Sequence, residues 1–450
     1  MADHAVSTDT RVQAQLDRLW RLSPGADVLG LDRITRLLGR LGDPHHALPP
    51  VFHVAGTNGK GSTCAYLRSA LEASGYRVHA YASPHLVRFN ERVRLAGRLI
   101  DDAALATLLA EVLDRADGIG ASFFEITTAA AFLAFARVPA DACVIEVGLG
   151  GRLDATNVLP APVACGIAAL GIDHQAFLGD TLEQIAAEKA GIAKPGVPLV
   201  TMRYPAPIAA PVARAATAAG AVWRPLGSTW DYSAADVVDY ADEAGTLTLP
   251  LPTLPGAHQA ANLALATAML RHQHALAVPV AALDEAARTT RWPARLQRLA
   301  RGPLTAPLGD AAIWLDGGHN ASAGAAIAAA LPGLVGIDTG RRLTVVFGML
   351  ANKDAAGFLA PFAAMIDTLV ALPVPGHEHH TPAALRGVAA ALGIPHATQA
   401  ASIHDAIAQL ATAASPPANV LIAGSLYLAG EVLKANDELP DRHRFAIDLQ

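Results

Sequence analysis

The stretch VFHVAGTNGKGSTCAYLRSALEASG, residues 51–75, decides the fold. A short apolar run leads into a glycine-rich loop, and a helical pattern follows, closed by Gly75 as a C-cap. In that setting Gly56, Gly59 and Gly61 let backbone N–H groups crowd around a phosphate at the positive end of a helix. Lys60 is placed to bridge phosphate oxygens. One position departs from the usual phosphate loop. There the lysine is followed at once by the Ser or Thr whose hydroxyl reaches Mg²⁺. Here Gly61 intervenes, and the hydroxyls come later, at Ser62 and Thr63. A nucleotide held by this loop needs its metal held from elsewhere.

The chain has 450 residues, enough for two or three domains with substantial cores. With 52% hydrophobic and 16% charged residues it reads as a well-packed α/β protein rather than a disordered one. A formal charge of -6 does not suggest a nucleic-acid scaffold. Apolar stretches such as 124–136 are too short or too interrupted to span a bilayer, so no membrane partner is expected. The opening MADHAVSTDTR contains acids and lacks an apolar segment, so no secretory signal is visible. Cys64, Cys143 and Cys165 are far apart in apolar surroundings and read as buried small hydrophobes, which fits a reducing, cytoplasmic setting.

Outward from the loop, residues 15–41 read as helical with a break around SPGADVLG (23–30). A second strand, YRVHAYAS, leads into SPHLVRFNERVRLAG, and periodicity predicts helices over about 102–115 and 125–137. ACVIEVG and VACGIAAL are apolar without alternation, as in strands of a parallel sheet covered on both faces. Residues 228–251 alternate in short stretches with turn residues and predict an antiparallel excursion, followed by a helix over 257–273. After a change of character near 297–308, strand and helix alternate again through AAIWLDGG, RLTVVFGML, TLVALPV and NVLIAGSLY. The fold class expected is α/β: a P-loop-type, mostly parallel sheet ATPase domain over 1–298, then a smaller Rossmann-like α/β domain over 299–450.

Three further segments carry chemistry. In EVGLGGRLDATN, Glu146 ends a buried strand, where an unpartnered carboxylate would be costly. A metal near the phosphates is a suitable partner, and a structural salt bridge is the alternative. LGIDH brings Asp173 and His174 to the same rim. Lys189, in IAAEKAGIAK, reads on its own as a solvated helix lysine. PGHEHH, residues 375–380, invites a metal reading, but its proline and glycine favour an exposed loop.

The segments GTNGKGST, SPHLVRFNERV, EVGLGGRLDATN, GIDH, EKAGIAK, HQAANLALA, RWPARLQ, LDGGHN and GMLANKD, in that order, resemble the folylpolyglutamate synthase/dihydrofolate synthase branch of the Mur ligase superfamily. They cover most of residues 28–355; beyond them the likeness is of architecture, plus IAGSLY at 422–427. The resemblance implies that Mg²⁺ is held by Ser83, Glu146 and His174, and that a carbamylated Lys189 helps hold a second ion. It assigns ATP contacts to Thr57, Asn58, Gly59, Lys60, Asn262, Arg295 and Asp316, and catalytic roles to Lys60, His174 and Lys189. Pteroate contacts carry over to Val28, Leu29 and Gly30, to Ser122, Phe123, Phe124 and Glu125, and to Leu153, Asp154 and Ala155. His319 and Ser425 are candidates for the incoming L-glutamate. One departure stands out: the family's PGR reads Pro293-Ala294-Arg295, so the backbone at 294 has to tolerate a Cβ.

The activity implied is ATP-dependent ligation of L-glutamate to dihydropteroate or a reduced folate through an acyl phosphate, by a monomer. Two rivals remain. A ligase acting on a UDP-sugar peptide has the same chemistry but normally a further domain ahead of the ATP loop, and only about fifty residues precede it here. A catalytically silent nucleotide-binding protein would not need Lys60, Glu146, His174 and Arg295 together.

Overall fold

In the computed structural model, which describes residues 6–22, 28–335 and 343–439, Val51–Ala55 forms β1, buried along its whole length. The strands of its sheet are β1, β2 (Val78–Tyr81), β3 (Val93–Leu95), β4 (Arg98–Leu99), β5 (Ala142–Glu146), β6 (Ala164–Ile167), β7 (Pro198–Thr201) and β8 (Val222–Pro225). They lie in the order β4-β3-β2-β5-β1-β6-β7-β8. All neighbours are parallel except the β2–β3 and β3–β4 pairs. The central strands are buried on both faces, which is why their sequences show no polar alternation.

Helices cover this sheet. Phe123–Arg137 is buried at every residue from Glu125 to Phe135, and so is apolar all round rather than amphipathic. It shares one apolar core with Val12, Leu16 and Leu19 of helix Thr10–Leu22 and with Ile34, Leu37 and Leu38 of helix Asp32–Arg40. The expected helix break thus exists, though its residues 23–27 lie outside the described set. The predicted excursion is a separate antiparallel sheet, β9 (Trp230–Ala234), β10 (Val237–Asp242) and β11 (Gly245–Pro250). Trp230, Val238, Tyr240 and Leu249 are its buried members. All three cysteines are free and buried, as expected. Among the described residues no helix is long and apolar enough to cross a membrane.

The chain divides into two units, one running to Thr253 with His258–Arg291, the other comprising Leu254–Ala257 and the chain from Trp292. Residues 292–298, expected in the first domain, therefore go with the second. The reason is local: β12 (Gln297–Arg298) pairs antiparallel with β13 (Ala312–Leu315). The remaining strands are β14 (Leu343–Phe347), β15 (Ile366–Ala371), β16 (His396–Gln399) and β17 (Asn419–Ala423), in the order β12-β13-β17-β14-β15-β16. From β13 to β16 all neighbours are parallel. The helix expected from about 355 is only Ala355–Leu359, followed by a 3₁₀ stretch Ala360–Met365, because Pro361 has no N–H to continue the α pattern. Ala294 adopts φ 55, a left-handed conformation that favours glycine, and it is fully buried. Its side chain is tolerated at the turn where the family carries glycine.

Candidate active site

The loop after β1 is tied to the segment after β6. The N–H groups of Thr57 and Asn58 donate to the Ala169 carbonyl at 2.8 and 3.1 Å, and the Thr57 hydroxyl donates to that of Gly171 at 2.9 Å. Gly59 needs to be glycine twice over: its φ is 88, and a Cβ would stand 2.4 Å from Oδ1 of Asn262. Asn262 thus lies against the loop. Helix Lys60–Ala73 starts immediately, leaving first-turn N–H groups at its positive end. Lys60 Nζ curls back onto the carbonyls of Gly56 and Thr57, at 3.1 and 3.4 Å. The displaced hydroxyls turn inward: Ser62 is 1% and Thr63 0% exposed.

Oxygen donors stand instead on the neighbouring strand ends. Glu146 closes β5 and is 5% exposed; the Ser83 N–H, beyond the end of β2, donates to its Oε2 at 3.4 Å. Its charge is also felt by the buried thiol of Cys64, which burial first and Glu146 second push well above its usual range. On the other side of β1, His174 takes a left-handed φ of 54, its N–H held by Asp173 Oδ1 at 2.8 Å. Lys60, Glu146 and Asp173–His174 therefore leave three adjacent strands, β1, β5 and β6, at one rim. Among the described residues no three His, Cys, Asp or Glu side chains converge on a metal site. The set Ser83, Glu146, His174 has only two members of those classes and depends on a serine hydroxyl. Its hydroxyl, carboxylate and imidazole donors suit a hard divalent cation such as Mg²⁺ or Mn²⁺ rather than a thiophilic one.

Lys189 overturns its first reading. It is 4% exposed rather than solvated, and its Nζ donates to the Gly56 carbonyl of the phosphate loop at 3.1 Å. Burial, and then the charge of Lys60, pull its pKa down to about 7; Asp173 and Asp154 oppose them. A distant segment packs against the backbone of the same helix end. Gly151 presses on the end of helix Leu182–Ala190 so closely that a Cβ would stand 2.7 Å from the Glu188 carbonyl and 2.8 Å from that of Lys189. Gly151→Ala is expected to destabilise this unit by about 1–3 kcal/mol through overpacking against backbone, read as a lower urea midpoint.

The candidate pteroate stretches gather on this same unit. Ser122 caps helix Phe123–Arg137 in a capping box with Glu125. Phe124 lies over Gly148, where a Cβ would stand 2.2 Å from the ring, and near Tyr81, with ring centres 6.0 Å apart. Asp154 is fully enclosed and accepts from Leu149 N at 2.7 Å, Thr156 N at 3.0 Å and Thr156 Oγ1 at 2.5 Å. Burial raises its pKa, and those bonds oppose the rise. His53 extends the chain, its Nε2 2.8 Å from Thr156 Oγ1, while burial pulls its pKa down to about 3. Ala155 is buried with Asp154, whereas Leu153, Leu29 and Gly30 are half-buried and Val28 exposed. The sequence reading missed Arg33, which bonds both Val28 and Glu125.

Arg295, Asp316, His319 and Ser425 belong to the second unit. Both oxygens of Asp316 are engaged by backbone: Leu296 N at 2.8 Å and Gly318 N at 2.7 Å. The carboxylate thus braces the turn that carries Arg295. β13 and β17 are paired, so Asp316–His319 and Ser425 leave adjacent strands at one end. Ser425 Oγ caps the following helix by accepting from Tyr427 N at 3.2 Å. His377 stacks on Tyr427 at 3.7 Å, and the rings of His379 and His380 bond the carbonyls of His377 and Lys353. PGHEHH is therefore a loop with Pro375, Gly376 and Glu378 exposed, as expected, and its three histidines half-buried and held by structural contacts.

Residues 295–426 match the family model "Mur ligase, glutamate ligase domain". The chain is 36% identical to the dihydrofolate synthase/folylpolyglutamate synthase of Escherichia coli, over 91% of this chain and 92% of that protein. Among solved structures it is similar to E. coli FolC in complex with DHPP and ADP, with a TM-score of 0.85 and 32% identity, covering 96% of this chain and 99% of that one. It is likewise similar to a bifunctional folylpolyglutamate synthase/dihydrofolate synthase with Mn, AMPPNP and L-glutamate bound, with a TM-score of 0.82 and 30% identity, covering 96% and 99%.

Proposed function

The chain belongs to the dihydrofolate synthase/folylpolyglutamate synthase family, and we propose that it uses ATP to join L-glutamate to dihydropteroate or to a tetrahydrofolate (poly)glutamate. The observation that carries the reading is the division of labour at the rim. A phosphate loop with its hydroxyls turned inward stands between strand ends bearing Glu146 and Asp173–His174.

A carboxylate and an amine do not condense unaided in water. The acceptor carboxylate attacks the γ-phosphorus, the bond to ADP breaks, and an acyl phosphate forms. The amino group of glutamate then adds to the activated carbonyl, loses a proton, and expels phosphate. Holding the partners in line supplies much of the acceleration. The N–H groups at the start of helix Lys60–Ala73 receive the phosphates, with Thr57, Asn58, Gly59, Asn262, Arg295 and Asp316 as further ATP residues. Lys60 exchanges the carbonyls it now bonds for phosphate oxygens and offsets their charge. Ser83, Glu146 and His174 would hold Mg²⁺, with a carbamylated Lys189 beside a second ion, and the metal supplies charge compensation to the triphosphate. The lowered pKa of Lys189 supports carbamylation, because only a neutral amine adds CO₂. Ser122–Glu125, Leu153–Ala155 and Val28–Gly30 hold the pteroate; His319 and Ser425 face the amino acid. The protein works as a cytoplasmic monomer without nucleic-acid or membrane partners; its charge of -6 supports the first of those absences and its buried free cysteines support a reducing compartment.

The test is coupled ADP release with dihydropteroate or tetrahydrofolate, with and without L-glutamate. Glutamate-dependent ADP formation is expected; its absence with both acceptors would sink the reading.

A further inference from the structure

We propose that Arg33 is a positioning residue for the pteroate end of the site, holding Glu125 so that one carboxylate oxygen is kept for an N–H of the ligand's heteroaromatic ring. This rests on the function proposed above and adds to it a residue and an orientation.

The placement of Arg33 follows from packing. Ile34, Leu37 and Leu38 anchor helix Asp32–Arg40 in the same core as helix Phe123–Arg137. Arg33, one residue before that anchored face, reaches the start of the second helix. Its Nε donates to Glu125 Oε2 at 2.9 Å, and its Nη2 donates to the Val28 carbonyl. The pair is largely enclosed, with side-chain exposures of 26% for Arg33 and 4% for Glu125. Arg33 thereby clips two separate candidate stretches, 28–30 and 122–125, to one another.

The two oxygens of Glu125 are unequal. Oε2 also accepts the Ser122 N–H at 2.6 Å, whereas Oε1 is buried and accepts nothing. It is the only carboxylate oxygen so placed among the described residues. Buried polar atoms without partners are rare and costly, and an ionised carboxylate offers only acceptors. What satisfies Oε1 has to bring a donor. Aromatic rings gather at this helix start: the core residue Phe123 meets Trp20 at 5.8 Å and Phe89 at 6.1 Å, and the half-buried Phe124, next to Glu125 in the chain, covers Gly148. A flat ring with amide and amino N–H groups on one edge fits both requirements. A second anion does not, so the reacting carboxylate of the ligand points away from Glu125.

The test is dihydropteroate binding by titration calorimetry, with ADP binding and steady-state kinetics alongside. Arg33→Met is expected to weaken dihydropteroate binding at least tenfold and to raise its KM. Its kcat should stay within about twofold, with ADP affinity and the KM values for ATP and glutamate unchanged. Arg33→Lys keeps the charge but loses the fork, so partial recovery is expected; if Arg33→Met does not fold, this variant carries the test with a smaller loss. Glu125→Gln should weaken the same ligand selectively. Wild-type dihydropteroate affinity in the Arg33 variants, or equal losses for dihydropteroate and ADP, would overturn the inference alone. A wild-type protein that binds no dihydropteroate would overturn both this and the function it rests on.

Discussion

Glu146→Gln is expected to lower ADP formation by about two to three orders of magnitude while leaving the fold intact. Gln keeps the volume of the side chain and an oxygen for the Ser83 N–H. What it removes is the negative charge, and with it the main attraction for a divalent cation at a buried position. The loss should appear as a raised requirement for Mg²⁺ or Mn²⁺ together with a lower maximal rate. Thermal unfolding without metal should stay close to the wild type, because the side chain's volume at the buried strand end is kept. Turnover unchanged at limiting Mg²⁺ would remove Glu146 from the metal site.

Lys189→Met should have an effect of similar size on turnover and, in addition, a pH-dependent gain in stability. In the metal-free protein with CO₂ removed, the folded lysine has a pKa near 7, against an ordinary value of 10.5. Between those values the unfolded chain binds a proton that the folded one does not, so stability rises with pH across that window. Below about pH 7 both states are protonated and the full cost of the buried charge is present. Met carries no such cost, so the variant should be more stable by a few kcal/mol at pH 6, on the order implied by the shift. That advantage should shrink from pH 7 towards 10.5. Denaturant titrations at pH 6 and 9 check this, and a wild-type protein equally stable at both would contradict the buried, neutralised lysine. Activity should fall by a similar two to three orders of magnitude, on the order of a lost catalytic group, and bicarbonate should raise turnover in wild type freshly freed of CO₂.

How far the chain could be read depended on the range over which each feature is set. The phosphate loop was legible because strand, glycines, lysine and helix are contiguous, and the strand-end acids because β5 and β6 are continuous apolar runs. The separate antiparallel sheet was legible from its alternation. Lys189 was not: its helix looks solvated until Gly151, far back in the chain, is seen lying against the carbonyls of residues 188 and 189. Arg33 escaped for the same reason, since its partner Glu125 lies 92 residues away. The edge strand His396–Gln399 carries a polar sequence and needs no apolar run, so periodicity had nothing to detect. The change of unit at Trp292 leaves little trace in the sequence, because β12 is only two residues long. Ala294 was flagged by its motif, but its φ of 55 is visible only in the backbone.

The most direct test of ATP-driven carboxylate activation is the fate of oxygen. Dihydropteroate labelled with ¹⁸O in its carboxyl group, incubated with ATP and L-glutamate, should give ADP and inorganic phosphate carrying one labelled oxygen. Unlabelled phosphate, or label recovered in AMP, would contradict transfer of the γ-phosphoryl group to the acceptor carboxylate.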